Sequence, residues 1–306
     1  MDFLRLIRYQ NLLMLAFMQL LFRYGFLEFQ AIPLALNHWE FALLVLSTVC
    51  IAAGGYIINN VFDIGTDHIN KPAQVIVNSR ISEATAYNYY VAFNVIGVGI
   101  GFYLSNVIGS PNFAILFVAI AATLYLYAST FKKYLLVGNI IVAVLLSLSV
   151  LIVGIFVLYP NITGDNRATM GTIFQVLIDY AIFAFMINFI REIVKDLEDV
   201  NGDYNQGMQT LPIVLGVSRT VNIVFVLSLI PIGLLLYYIY TYLFNLVYAT
   251  VFGLILIVAP MIYFTIKIHG ASTKKTFAHL SAVLKWIMLF GILSILVISL
   301  NILHNA

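Results

Sequence analysis

Residues Ile140–Leu158 read IIVAVLLSLSVLIVGIFVL, a run without a charged residue whose only polar side chains are Ser147 and Ser149. A helix that crosses a bilayer needs about 20 mostly apolar residues, so this stretch alone argues for a membrane span. Eight further stretches follow the same pattern: Asn11–Phe26, Phe41–Ile58, Ala86–Ile108, Phe113–Ser129, Ile173–Ile190, Val221–Tyr240, Leu246–Ile266 and Lys285–Ile302. Backbone polar groups in hydrocarbon must be satisfied within the segment, which predicts helices. The runs lack the alternation of a membrane β-barrel. Gln19 and Arg23 lie inside the first stretch and no small-residue cleavage site follows it, so it is read as a retained span rather than a signal peptide.

The rest of the composition agrees. Of 306 residues, 62% are hydrophobic and 9% charged, with a mean hydropathy of +1.01. Soluble domains carry roughly 25% charged residues, so a cytosolic globular enzyme is excluded. The single Cys50 excludes an internal disulfide framework, and five scattered His residues offer no paired ligand spacing. A net charge of +2 gives no reason to expect a nucleic-acid partner, and no obligate protein partner is evident. The expected fold is all-α: one integral-membrane domain over residues 1–306, a bundle of about nine transmembrane helices.

Lys and Arg orient the bundle. If Arg5 and Arg8 are cytoplasmic, so are the loops at 59–85, 130–139, 191–220 and 267–284. All of the 15 Lys and Arg residues except Arg23 and Arg167 then lie on that side or at its boundary. This is a positive-inside distribution, and it predicts an external C-terminus at Ala306.

Two of these loops collect the acids. The first reads Asn59-Asn60-Val61-Phe62-Asp63-Ile64-Gly65-Thr66-Asp67, and the second runs from Arg191 and Glu192 through Lys195, Asp196, Glu198 and Asp199 to Asp203. Asn60, Asp63 and Asp67 stand at i, i+3 and i+7, as do Asp196, Asp199 and Asp203, so each set shares one helix face. Each loop is expected to extend its membrane helix with a stripe of oxygen ligands. The match suggests a diverged internal repeat. One acidic loop reads equally as a solvated surface; two matched loops in so charge-poor a chain do not.

Stacked carboxylates repel unless cations neutralise them. Oxygen ligands without His or Cys suit magnesium, which takes one or two carboxylates plus substrate phosphates. The expected metal ligands are Asn60, Asp63, Asp67, Asp196, Asp199 and Asp203, with Asp63, Asp67, Asp196 and Asp199 carrying catalysis. Lys71, Arg80, Lys132, Lys133, Arg191 and Lys195 lie on the same side and suit phosphoryl oxygens. Glu192 is a candidate base, although a partnership with Lys195 explains it as well.

These residues resemble the UbiA superfamily of intramembrane prenyltransferases. Asn59, Asn60, Asp63 and Asp67 match its N-D-x-x-D-x-x-x-D signature, and Asp196, Asp199 and Asp203 its D-x-x-D-x-x-x-D. Ile69-Asn70-Lys71-Pro72 through Arg80-Ile81-Ser82 resembles an I-N-R-P stretch ending in R-I-S. Gly207, Thr210-Leu211-Pro212-Ile213 and Gly216 match G-x-x-T-L-P-I-x-x-G. Tyr127, Ser129, Lys132, Lys133, Gly138 and Asn139 are similar to a further short family stretch, and Arg8 and Asn11 to an N-terminal R-P-x-N element without its proline. Asn60 departs from the first acid of the signature, and Gln74–Ser79 departs from a usual R-P-x-P-x-G run.

The resemblance covers essentially the whole chain. It implies nine helices with acidic loops after the second and sixth, magnesium, a prenyl diphosphate donor bound also by Asn59, a lipophilic acceptor, and membrane lipid as a further partner. Arg191 to Asp203 looks most like the geranylgeranylglycerol-phosphate geranylgeranyltransferase branch, with aromatic-acceptor members as the alternative. Asn60→Asp is expected to be tolerated and Glu198→Ala to matter little.

Other classes fit less well. A secondary transporter would place its ionisable groups at the midplane, where Asp179 stands alone. A lipid phosphatase or CDP-alcohol transferase needs one acid-rich helix rather than two matched loops.

Overall fold

The computed structural model describes residues 1–305, leaving aside the side chains of Gln74 and Asn305. Ala306, the predicted exterior end, lies outside the described residues. Thirteen α-helices account for most of the described chain: α1 Asp2–Leu6, α2 Tyr9–Gly25, α3 His38–Phe62, α4 Ile64–Asn70, α5 Glu83–Val107, α6 Ala114–Ser129, α7 Val137–Val157, α8 Arg167–Asn205, α9 Leu211–Leu215, α10 Val217–Tyr238, α11 Val247–Gly253, α12 Ala259–Ile268 and α13 Lys274–Asn305. Among the described residues, 9 helices or joined helical runs are long and apolar enough to cross a membrane, each at one of the predicted stretches.

Local sequence explains the boundaries. Asn37 and Glu40 form a reciprocal capping box at the start of α3, at 2.9 and 2.8 Å. The span after α10 joins α11 to α12 through a π-helical turn at Leu254–Val258, immediately before Pro260. Proline lacks the N–H that an α-turn requires, and the wider turn accommodates the loss.

The helices α2, α3, α6, α7, α8 and α13 surround a central cavity, with α5 packed outside α3 and α10 and α12 outside α8 and α13. The α3–α5 seam is tight. Gly97 leaves no room for a Cβ beside the Ser47 carbonyl, and the Ser47 hydroxyl donates to the Gly97 carbonyl at 2.6 Å.

At the far end of α2, Arg23 is buried and pairs with Glu28 at 3.2 Å. This fits a bundle-facing charge rather than a catalytic one.

The 39 residues of α8 extend it to about 58 Å at 1.5 Å per residue, against a hydrocarbon core of about 30 Å. Its last third, from Arg191 onward, therefore stands beyond the hydrocarbon, as the sequence predicts. The first stripe differs. Helix α3 stops at Phe62, Asp63 takes φ −92° and ψ 0°, and α4 restarts at Ile64. The backbone bonds from Asp63 to Asn59 and from Asp67 to Asp63, both 2.8 Å, carry the helical register across this break.

Candidate active site

Helix α4 lies against the outer end of α8, and one side chain stitches them together. The Asn70 amide nitrogen donates to the Asp199 carbonyl at 2.9 Å, and its Oδ1 accepts from the Gly202 N–H at 3.0 Å. A Cβ on Gly202 would collide with this amide, so the close approach requires glycine there. Lys71 follows directly, its Nζ 2.8 Å from Asp199 Oδ2 and 3.4 Å from Glu198 Oε1. The two acidic segments thus meet as one site.

Each acid has a distinct environment. Asp63 accepts from Lys132 Nζ and from Asn59 Nδ2, both at 2.5 Å. Asp196 accepts from Asn139 Nδ2 at 2.8 Å. Asp67 and Asp203 have no side-chain hydrogen bond or ion pair among the described residues.

Burial raises the carboxyl of Asp67 above its ordinary range, and the neighbouring charge of Asp63 adds to the shift. Asp203, buried beyond the hydrocarbon near the end of α8, is pushed up to about 7 by burial and then by Asp199 and Asp63. Burial pulls the Lys71 ammonium down, but Asp199 and Glu198 outweigh it and hold the group above its usual value.

Two acceptor atoms, Asn59 Oδ1 and Asp199 Oδ1, are buried without any partner among the described residues. Buried acceptors without donors are costly, and carboxylates that raise one another's proton affinity lack positive charge. Among the described residues no three acidic or imidazole groups form a closed cage for an ion. Such a donor set fits magnesium, which keeps part of its coordination shell for water and phosphate oxygens.

The predicted residues divide. Asn59, Asp63, Asp67, Lys71, Lys132, Asp199 and Asp203 come together, and Asp196, held by Asn139, lies within the field of Asp203. The Asn60 amide nitrogen is committed to the carbonyls of Tyr56 at 2.8 Å and Leu6 at 3.2 Å, leaving only its oxygen as a possible ligand. Arg80 pairs with Asp2 at 2.6 Å and touches neither stripe. The Lys133 side chain is exposed and without a polar partner, and its carbonyl accepts from Gln209 N–H at 2.9 Å. Lys195 turns to Glu192 at 2.7 Å, where Arg191 also approaches at 3.6 Å. Glu192, held by two cations, is a counter-ion rather than a free base.

Asn70 and Asn139 are the residues whose roles sequence reasoning missed. Both lie in stretches that resemble family motifs, but only the tertiary contacts reveal what their amides do.

Below the acids a cavity of about 260 Å³ runs into the bundle. Its outer end includes Asn59, Arg8 and Lys195, and its depth is apolar, with Phe22, Phe117 and Ile292 among the lining residues. A charged mouth over an apolar channel suits a substrate with an anionic head and a hydrocarbon tail.

Comparison with known proteins points the same way. The profile of the UbiA prenyltransferase family matches residues 24–299. The digeranylgeranylglyceryl phosphate synthase of Saccharolobus solfataricus is 33% identical over 244 residues, 76% of this chain and 77% of the relative. A solved structure from work on digeranylgeranylglyceryl phosphate synthase in membranes superposes with a TM-score of 0.65 at 24% identity, over 97% of both chains. A UbiA homologue from Archaeoglobus fulgidus bound to DMAPP and Mg2+ gives 0.59 at 17% identity, over 96% of this chain and 99% of that one.

Proposed function

Because this chain belongs to the UbiA prenyltransferase family and is therefore an integral-membrane prenyltransferase, we propose that it transfers a geranylgeranyl group from its diphosphate to the free hydroxyl of a prenylglycerol phosphate. The carrying observation is the union of the two acidic segments by Asn70 and Lys71 over the mouth of an apolar cavity. The name shared by curated relatives supports the acceptor, and the Archaeoglobus homologue with DMAPP and Mg2+ supports the metal. We place the site on the cytoplasmic side, because the Lys and Arg residues concentrate there. A reporter in the loop at 267–284 should accordingly read as internal.

The proposed roles follow from the contacts. Asp63, Asp67, Asp196, Asp199 and Asp203, with Asn59 Oδ1, would supply the oxygens that hold magnesium beside the diphosphate. Magnesium bound there neutralises the head and acts as a Lewis acid on the leaving oxygen.

Lys132 and Lys71 are the cations ion-paired with Asp63 and Asp199 among the described residues, placed to stabilise negative charge that grows on the leaving group. The allylic C–O bond breaks with its electron pair on diphosphate, and the acceptor oxygen forms the new C–O bond. Its proton departs with the diphosphate in the overall balance. The apolar channel keeps water from the allylic carbon until the acceptor attacks.

The test is direct. Purified protein with labelled geranylgeranyl diphosphate should convert geranylgeranylglycerol phosphate to its diether in magnesium and lose that activity in EDTA. Prenylation of a hydroxybenzoate or naphthoate instead, detected by mass spectrometry, would overturn the acceptor assignment.

A further inference from the structure

Just below the acids, at the outer end of the same cavity, stands a second charged cluster that makes no ion pair with the five aspartates among the described residues. Arg8, Arg191, Lys195 and Lys285 all line it, accompanied by a single carboxylate, Glu192. Lys195 and Arg191 share that carboxylate at 2.7 and 3.6 Å. Lys285 meets only a neutral oxygen, Asn11 Oδ1, at 3.0 Å. Arg8 stands over the Tyr56 ring, 5.3 Å from its centroid. Its backbone is held at φ 50° and ψ 52°, a left-handed conformation that a side-chain-bearing residue adopts at a cost.

One turn deeper on α8, Asn188 also lines the cavity. It is 2% exposed, and its amide nitrogen has no hydrogen-bond partner. Positions 188, 192 and 195 share one helix face. A cluster of four cations and one carboxylate, with an orphaned donor beside it, lacks an anion.

We propose that this cluster is the acceptor's phosphate subsite: Arg8, Arg191, Lys195 and Lys285 bind the phosphate monoester of the lipid acceptor, and Asn188 Nδ2 donates to its glycerol oxygen. The inference rests on the prenylglycerol phosphate reading and names the residues that recognise that acceptor.

The chemistry of the two substrates fits the placement. From Glu192 to Asp199 the rise along α8 is about 10 Å, so two anionic heads can bind in succession, one on metal and one on protein cations. On a glycerol already phosphorylated once and etherified once, the remaining hydroxyl lies one or two carbons from the phosphate. Anchoring the phosphate below the acids therefore brings that hydroxyl up toward the allylic carbon. Glu192 offsets part of the Arg191 and Lys195 charge, and an acceptor without the phosphate leaves the remainder uncompensated.

The experiment uses geranylgeranylglycerol phosphate, its dephosphorylated alcohol and inorganic phosphate as probes of the full-length protein in detergent, without donor or magnesium. The phosphorylated lipid should raise Tm, and the alcohol and an equal concentration of inorganic phosphate should not. Lys285→Gln and Asn188→Leu should each weaken its Kd by about tenfold or more, whereas Lys285→Arg should retain it.

In turnover the same variants should raise KM for the acceptor about tenfold and leave KM for geranylgeranyl diphosphate within about twofold. Unchanged Kd values in the two variants would overturn the subsite, as would an equal rise in both KM values or equal stabilisation by inorganic phosphate. Binding that depends on these residues without any transfer would sustain the subsite and overturn the reaction. Transfer that is indifferent to Lys285 and Asn188 would do the reverse.

Discussion

Lys71 Nζ lies 2.8 Å from Asp199 Oδ2, while Asp199 Oδ1 is buried with no partner. One carboxylate thus faces two ways, joining α4 to α8 through one oxygen and offering the other to a cation. Lys71 therefore positions the second acidic segment, besides the diphosphate role proposed for it. Lys71→Met should lower kcat/KM by roughly a hundredfold, at about 1.4 kcal/mol per tenfold. In a double-mutant cycle with Asp199→Asn the two losses should be strongly non-additive. Additive losses, measured on well-folded protein, would separate the two residues functionally.

Asn60 reverses an expectation. By sequence, restoring an acid at this position is expected to be tolerated. In the structure its amide donates to the carbonyls of Tyr56 and Leu6, and a carboxylate has no proton to give. Asn60→Asp would set a negative charge against two carbonyl oxygens and release α1 from α3. The expected result is a destabilisation of about 1–3 kcal/mol, read as a fall in thermal stability in detergent. An unchanged or raised Tm would refute this account.

The spans were legible because periodicity hardly matters for them: length and hydrophobicity alone specify a membrane helix. The outer part of α8 was legible because its stripe continues the helical register. The break at Asp63 was not, since nothing in Phe62-Asp63-Ile64 is a helix breaker and the interruption arises where α4 docks against α8.

Which acids belong together could be read from their spacing. Which cations serve them could not, because positive-inside topology places Lys and Arg at every cytoplasmic boundary. Arg80 turned to Asp2 and Lys195 to Glu192 for this reason, and only tertiary contacts tell them from Lys71 and Lys132.

If Asp203 holds magnesium as proposed, its titration would make metal binding pH-dependent. Its carboxyl is pushed up to about 7 by burial and nearby acids, against an unfolded value of about 3.9. The folded protein thus holds this proton more tightly than the unfolded chain. Its contribution to stability is present at low pH and is lost as pH rises from about 4 to about 7. Asp67, shifted in the same direction, adds to the trend. At the proposed site magnesium would replace this proton, so the rise in Tm that it produces should be larger at pH 8 than at pH 6. Asp203→Asn should flatten that difference. Equal magnesium stabilisation at both pH values would exclude Asp203 from the metal site.

Glu198 and Asp199 are neighbours in sequence and unequal in place. Asp199 lies on the face shared with Asp196 and Asp203, bonds Lys71 at 2.8 Å and keeps a buried free oxygen. Glu198 lies off that face and reaches the same ammonium at 3.4 Å. Removing Asp199 deletes a candidate metal ligand and frees Lys71, whereas removing Glu198 leaves the shorter of the two ion pairs intact. Asp199→Ala should therefore lower kcat by roughly a hundredfold or more, with Asp63→Ala, Asp67→Ala and Asp196→Ala in the same range. Glu198→Ala should cost no more than about fivefold, a little above the negligible effect expected from the helical face alone, because it supports Lys71. The ranking is to be measured as kcat in saturating magnesium on variants with unchanged elution from size-exclusion chromatography. If Glu198→Ala matches Asp199→Ala, the second acidic segment binds through both residues and its helical-face assignment is wrong.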